Sequence, residues 1–126
     1  MEWIWNPLKK RVGKYKLNTQ LSPLDNLTLL NRYDYEDWDT YAIMNSNNSK
    51  LFIKNNEIKA IQCGLACCYN GINIIGLNYI EASNLLEIPI NLWVEVSGSK
   101  ELIDDVRKIR LYAVNDKIVW VIIHSW

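Results

Sequence analysis

Few side chains in this sequence could do chemistry. There is one histidine, His124, and three cysteines, Cys63, Cys67 and Cys68. A nucleophilic dyad needs a base within hydrogen-bond reach of a thiol or hydroxyl. Cys63 is the one plausible thiol partner, because an internal repeat aligns it with the end of the strand that carries His124. The plain reading is a strand-end histidine bonded to backbone or water. A zinc site needs about four ligands, usually Cys and His. Three cysteines without a CxxC spacing and one distant histidine do not supply them. An odd count with two adjacent residues also argues against the disulfide framework of a small secreted domain. The three cysteines are therefore expected to be reduced, small apolar side chains in or near the core, with no metal and no cofactor.

The acids are more concentrated. Asp34, Glu36, Asp37 and Asp39 crowd together among Tyr33, Tyr35, Trp38 and Tyr41, undiluted by Lys or Arg. Paired carboxylates can drive hydrolysis and clustered ones can hold magnesium, but adjacent acids in a loop are most simply a solvated surface. Tyr and Trp bury much area and still hydrogen-bond, so beside acids they also suit protein docking. The acids would steer a basic partner. Asp34, Tyr35, Glu36, Asp37, Trp38 and Asp39 are the candidate partner-binding residues, and no catalytic residue is assigned. Lys9, Lys10, Arg11, Lys14 and Lys16 form the opposite pole, near Trp3 and Trp5. A nucleic-acid patch there is opposed by the acidic run and by a net charge of zero, with 14 basic and 14 acidic residues. No nucleic-acid partner is expected. Lysines on a strand edge also discourage unwanted pairing. No Walker loop or GxGxxG motif is present, and the scattered glycines suit turns.

The elements that must position these residues follow from patterning. The 126 residues are the size of one domain, and with 49% hydrophobic and 22% charged residues disorder is excluded. No apolar run reaches the roughly 18 residues of a membrane span, and the first six residues lack a signal-peptide pattern. A soluble cytoplasmic protein without membrane contact is expected.

Two segments align without a gap: Leu51–Cys63 over Leu111–Ile123. Each is an apolar run, a turn pair (Asn55-Asn56 or Asn115-Asp116) and a longer apolar run, which predicts a β-hairpin. Upstream, Ser22–Leu30 lies over Asn78–Leu86. Ser22 and Asn78 suit an N-cap, Pro23 suits the first helical position, and Asp25 and Glu81 suit the first turn. Leu24, Leu27 and Leu30 share one helical face. Two short helices are therefore expected, and Ser99–Lys108 is expected as a third. Tyr41–Asn45 and Leu92–Val96 read as strands, and Asn70-Gly71 as a hairpin turn; in the second strand Leu92, Val94 and Val96 alternate with Trp93 and Glu95, so one face is expected to be buried. Ile118–His124 is apolar at nearly every position, so it is expected to be a central strand. The expected fold is α+β: an antiparallel sheet with two or three short helices, built as a tandem pseudo-repeat of helix plus hairpin in a single domain, with halves near 13–63 and 71–124. Helices on one face would leave the other to Trp3 and Trp5, to the curl of the sheet, or to a partner protein.

The run Leu51-Phe-Ile-Lys-Asn-Asn-Glu-Ile-Lys-Ala-Ile-Gln-Cys63, followed by Tyr69-Asn-Gly-Ile-Asn-Ile-Ile-Gly and a helix, resembles small bacterial immunity proteins of polymorphic toxin and contact-dependent growth inhibition systems. The resemblance covers about Tyr41 to Leu86, and the C-terminal hairpin is a weaker echo. It implies a non-catalytic inhibitor that occludes the active site of a cognate toxin, often a ribonuclease, including those of the EndoU type. It also implies that the toxin can add a strand to an edge of the sheet. It carries over no individual functional residue. The other readings of the chain are a β-rich interaction module or homodimeric subunit, and a small hydrolase working at His124 or the acidic run.

Overall fold

The computed structural model describes residues 3–21, 27–33, 38–43, 46 and 48–126. Along the chain come β1 (Trp5–Asn6), β2 (Arg11–Val12), β3 (Tyr15–Lys16), β4 (Leu27–Tyr33), β5 (Trp38–Ile43), β6 (Lys50–Lys54) and β7 (Glu57–Cys63). Then follow β8 (Cys68–Tyr69), β9 (Ile72–Asn73), the helix α1 (Tyr79–Leu86), a 3-10 turn at Ile90–Leu92, β10 (Trp93–Val96), β11 (Ser99–Asp104), β12 (Ile109–Val114) and β13 (Lys117–His124).

Local chemistry explains why neighbours in sequence pair. Asn55 and Asn56 have φ of 53° and 62°, and Asn115 and Asp116 have 52° and 65°. Positive φ at both central positions makes a primed turn, whose twist matches that of the flanking strands, and Asn and Asp tolerate it. Asn70-Gly71 and Ser97-Gly98 turn the chain in the same way. Eight strands thereby form one antiparallel sheet in the order β10-β11-β12-β13-β7-β6-β5-β4. This is two four-stranded meanders joined where β13 pairs with β7. The apolar strand Ile118–His124 is central, as its composition requires.

The hydrogen-bond register repeats along the chain. Phe52 pairs with Ala60, and 60 positions on Tyr112 pairs with Trp120. The register slips immediately after each of these pairs, at Phe52/Ile53 and at Tyr112/Ala113. At the seam Val121 pairs with Cys63, Ile122 with Gln62 and Ile123 with Ile61. Shifting each residue by 60 exchanges the first and third pairs and maps the middle pair onto itself, which is the signature of a local twofold axis through Gln62 and Ile122. The echo extends beyond the sheet. Ile58 donates its N–H to the Thr19 carbonyl, and its carbonyl accepts the Asn18 N–H; Ile118 does the same with Leu77 and Gly76.

The repeated unit is nevertheless not helix plus hairpin, and the structure is mostly β rather than α+β, with 54% of the described residues in strands and 10% helical. Of the expected helix Ser22–Leu30, residues 22–26 lie outside the described part, and Leu27–Leu30 belong to β4. The leucines that fit a period of three also fit a period of two. Leu27 lies opposite Ile43 and Leu29 opposite Tyr41, and this pairing satisfies the backbone. The expected helix Ser99–Lys108 is instead β11 and a turn. Leu102 and Asp104 are buried and Ile103 is exposed, which is strand alternation. The Asp104 Oδ1 accepts the N–H groups of Val106 and Arg107 at 3.1 and 3.0 Å. An aspartate that bonds the amides two and three residues on nucleates a turn as readily as a helix start. Helix α1 does form. The Asn78 side chain accepts the Ile80 N–H, and Glu87 ends the helix in the left-handed region.

Register places Leu102, Leu111, Val121 and Cys63 in one row on one face of the sheet, and Ile109, Ile123, Ile61 and Leu51 in the next. All eight are buried. This inner face is covered by the small β1-β2-β3 sheet with Trp5, Val12 and Tyr15, by the β8-β9 hairpin and by α1. Trp3 and Trp5 thus join the main core and do not shield the second face.

Asn56→Ala is expected to lower stability by about 1 kcal/mol, because Ala resists positive φ, and Asn56→Gly should not. Asp104→Ala should lower it by about 1–3 kcal/mol, because two backbone amides and Arg107 lose their acceptor. Urea unfolding of the three variants checks both.

Candidate functional site

Asp34, Tyr35, Glu36 and Asp37 lie outside the described residues. Trp38 and Asp39 begin β5, where successive side chains alternate between the faces of the sheet. Asp39 pairs with Ile53 and shares the inner side; Trp38 pairs with Lys54 and lies on the outer side. The two therefore do not form one patch. Trp38 is half-buried: Lys54 Nζ sits 5.2 Å from its ring centre, and Trp126 meets it edge-on at 5.8 Å. The acidic and aromatic letters that adjoin in sequence are separated here by the pleat.

Cys63 and His124 occupy adjacent strands but do not meet. Cys63 pairs with Val121 and His124 with Ala60, a separation along the strands of roughly 10 Å. Cys63 also faces the inner side and His124 the outer. No dyad forms. A hydrogen bond with Cys67 and burial push the Cys63 thiol up, which keeps it protonated and inert. All three cysteines are free. Among the described residues no group of three or more His, Cys, Asp or Glu side chains converges to hold a metal.

His124 is 1% exposed, and neither ring nitrogen has a hydrogen-bond partner among the described residues. Trp126 stacks flat on the imidazole at 4.5 Å, and the Arg110 guanidinium lies 5.5 Å from the same indole. Burial, with Arg110 and Lys108 adding to it, holds the His124 pKa below 6.5. Asp105 and the Trp126 backbone act the other way. A buried donor left unmet costs about 1–3 kcal/mol, so this histidine is a local weak point. Asp104 is the contrasting case. Burial opposes its ionisation, but the Arg107 backbone N–H, the Arg107 guanidinium at 2.7 Å and the Val106 N–H hold its carboxyl below the usual range.

The alternation of Leu92, Val94 and Val96 with Trp93 and Glu95 led to an expected buried face, but the structure exposes all three at one edge of the sheet. β10 is an end strand. Around it, Leu92, Val94, Val96, Ile103 and Val114 are all exposed, Val94 by 59% and Val96 by 47%. Register sets Val94 beside Glu101 and Val96 beside Ser99, with Val114 next in that row, so the aliphatic side chains of Val94, Val96, Ile103 and Val114 share the outer face. Alternation in Trp93-Val-Glu-Val marks a strand but cannot say whether a layer covers it, and among the described residues none covers the side of Val94 and Val96.

Comparison with protein-family models, curated proteins and solved structures returns no match. No helix among the described residues is long and apolar enough to cross a membrane.

The pH consequence of His124 follows from its depressed pKa. As pH falls through 6.5 the unfolded chain takes up the proton and the folded chain does not, so stability is lost as pH drops below that point, down to the folded value. Urea midpoints from pH 8 downward should show this fall in the wild-type protein and a smaller one in His124→Gln. Titration of the ring protons by NMR should give a pKa under 6.5.

Proposed function

We propose that this chain is a cytoplasmic, non-catalytic immunity protein that binds a cognate bacterial toxin and blocks it, with the toxin docking against the β10 edge. The observation that supports the docking surface is the cluster of exposed aliphatic side chains Leu92, Val94, Val96, Ile103 and Val114 at the end of the sheet. Contiguous exposed apolar patches on small proteins mark interaction sites. Free edges are normally blunted by lysine, proline or a bulge. The four residues of β10 contain no lysine and no proline, and their pairing with β11 runs without a register shift. That edge suits a partner strand, with main-chain hydrogen bonds giving affinity and alternate side chains giving selectivity.

The identity of the partner as a toxin, and as a nuclease, rests on the resemblance of Leu51–Cys63 and Tyr69–Gly76 to immunity proteins. Occlusion needs no reaction from this chain. The partner to test is the product of a toxin gene adjoining this one, which the proposal requires to exist. Wild-type protein is expected to bind it with fixed stoichiometry and to abolish its activity. Because Val94 and Val96 are exposed, Val94→Lys together with Val96→Glu should leave the unfolding transition unchanged while weakening binding by at least about tenfold. Calorimetry of the complex measures this. Unchanged affinity would move the docking site elsewhere, and a wild-type protein that neither binds nor protects would overturn the assignment.

A further inference from the structure

At one end of the sheet lies a cleft of about 340 Å³. It is bounded by the turn that ends at Lys10, the chain leaving β3 at Leu17 and Asn18, the β11–β12 turn at Val106–Lys108, and the end of β13. Its volume is at the small end of ligand sites.

The walls divide by chemistry. Trp5, Leu17 and Ile123 are buried core side chains that give it an apolar floor. Lys10, Arg107 and Lys108 line it, and no carboxylate does. Arg107 is already held by Asp104 at 2.7 Å, so the available positive charge comes from Lys10 and from Lys108, whose Nζ donates to the Trp126 carbonyl at 2.8 Å. An apolar floor and cations without a lining acid are the complement of one kind of molecule. We propose that this cleft binds a small amphiphilic organic acid, with its carboxylate at Lys10 and Lys108 and its apolar body on Trp5, Leu17 and Ile123.

This site is separate from the β10 edge, so it stands or falls independently of the toxin-binding reading. The test is an NMR titration of the isotope-labelled full chain with phenylpropionate, with phenylpropanol as the uncharged analogue and inorganic phosphate as the bare anion. Phenylpropionate should give saturable shifts at the Trp5 indole N–H and at the amides of Leu17, Asn18 and Lys108. Phenylpropanol should bind about fivefold more weakly. Lys10→Ala removes an exposed side chain, leaves the fold intact, and should weaken phenylpropionate by about threefold to fivefold, the size of one surface ion pair. Absence of saturable shifts at about 10 mM ligand, a concentration that reveals even millimolar affinity, overturns the proposal. So do shifts confined to other residues, equal binding of the alcohol, or a phosphate response as strong as that of phenylpropionate.

Discussion

The pairing of β7 with β13 holds the rest of the protein together. Each four-stranded meander alone would present a free edge of mostly apolar strand. Joined through Cys63–Val121, Gln62–Ile122 and Ile61–Ile123, they form one sheet whose inner rows run unbroken from Leu102 to Cys63 and from Ile109 to Leu51. The covering layer depends on that continuity. The β1-β2-β3 sheet, the β8-β9 hairpin and α1 bury their apolar residues into a face that exists only once both meanders are in register. The residues at the seam are correspondingly buried on both sides: Ile61, Cys63 and Val121 inward, and Ala60, Gln62 and His124 on the outer face.

Turn chemistry and the repeat were legible in the residues. Asn55-Asn56, Asn70-Gly71 and Asn115-Asp116 encode the geometry they adopt because few residues accept positive φ, and the 60-residue offset of the hairpins is the offset of the register itself. The helix assignments failed where a short apolar run fits both periods. Leu27–Leu30 and Leu102–Val106 satisfy helical spacing and strand alternation alike, and long-range pairing decided between them, which local pattern cannot report. Asn78–Leu86 succeeded because its cap bond is local. The candidate site was less legible. Whether Trp38 and Asp39 share a surface depends on strand or loop, and so did the exposure of Val94 and Val96.

The residues that looked reactive are absorbed by architecture. Cys63 fills the core beside Val121, and His124 lies beneath Trp126 with its nitrogens unmet. What is left facing outward is an aliphatic edge at β10, and a cleft with an apolar floor and lysines at its rim. A rigid antiparallel scaffold holds such surface side chains in fixed relation to one another.

The seam also sets the order in which the molecule can be made. During synthesis β7 leaves the ribosome with one edge satisfied by β6, and its second partner, β13, is translated only after β8 to β12. Until then the backbone groups of Ala60–Cys63 face water or stray strands, and the closing step is a contact between segments distant along the chain, the kind whose loop entropy slows folding. The nascent first half is thus the most aggregation-exposed stage in the life of this protein.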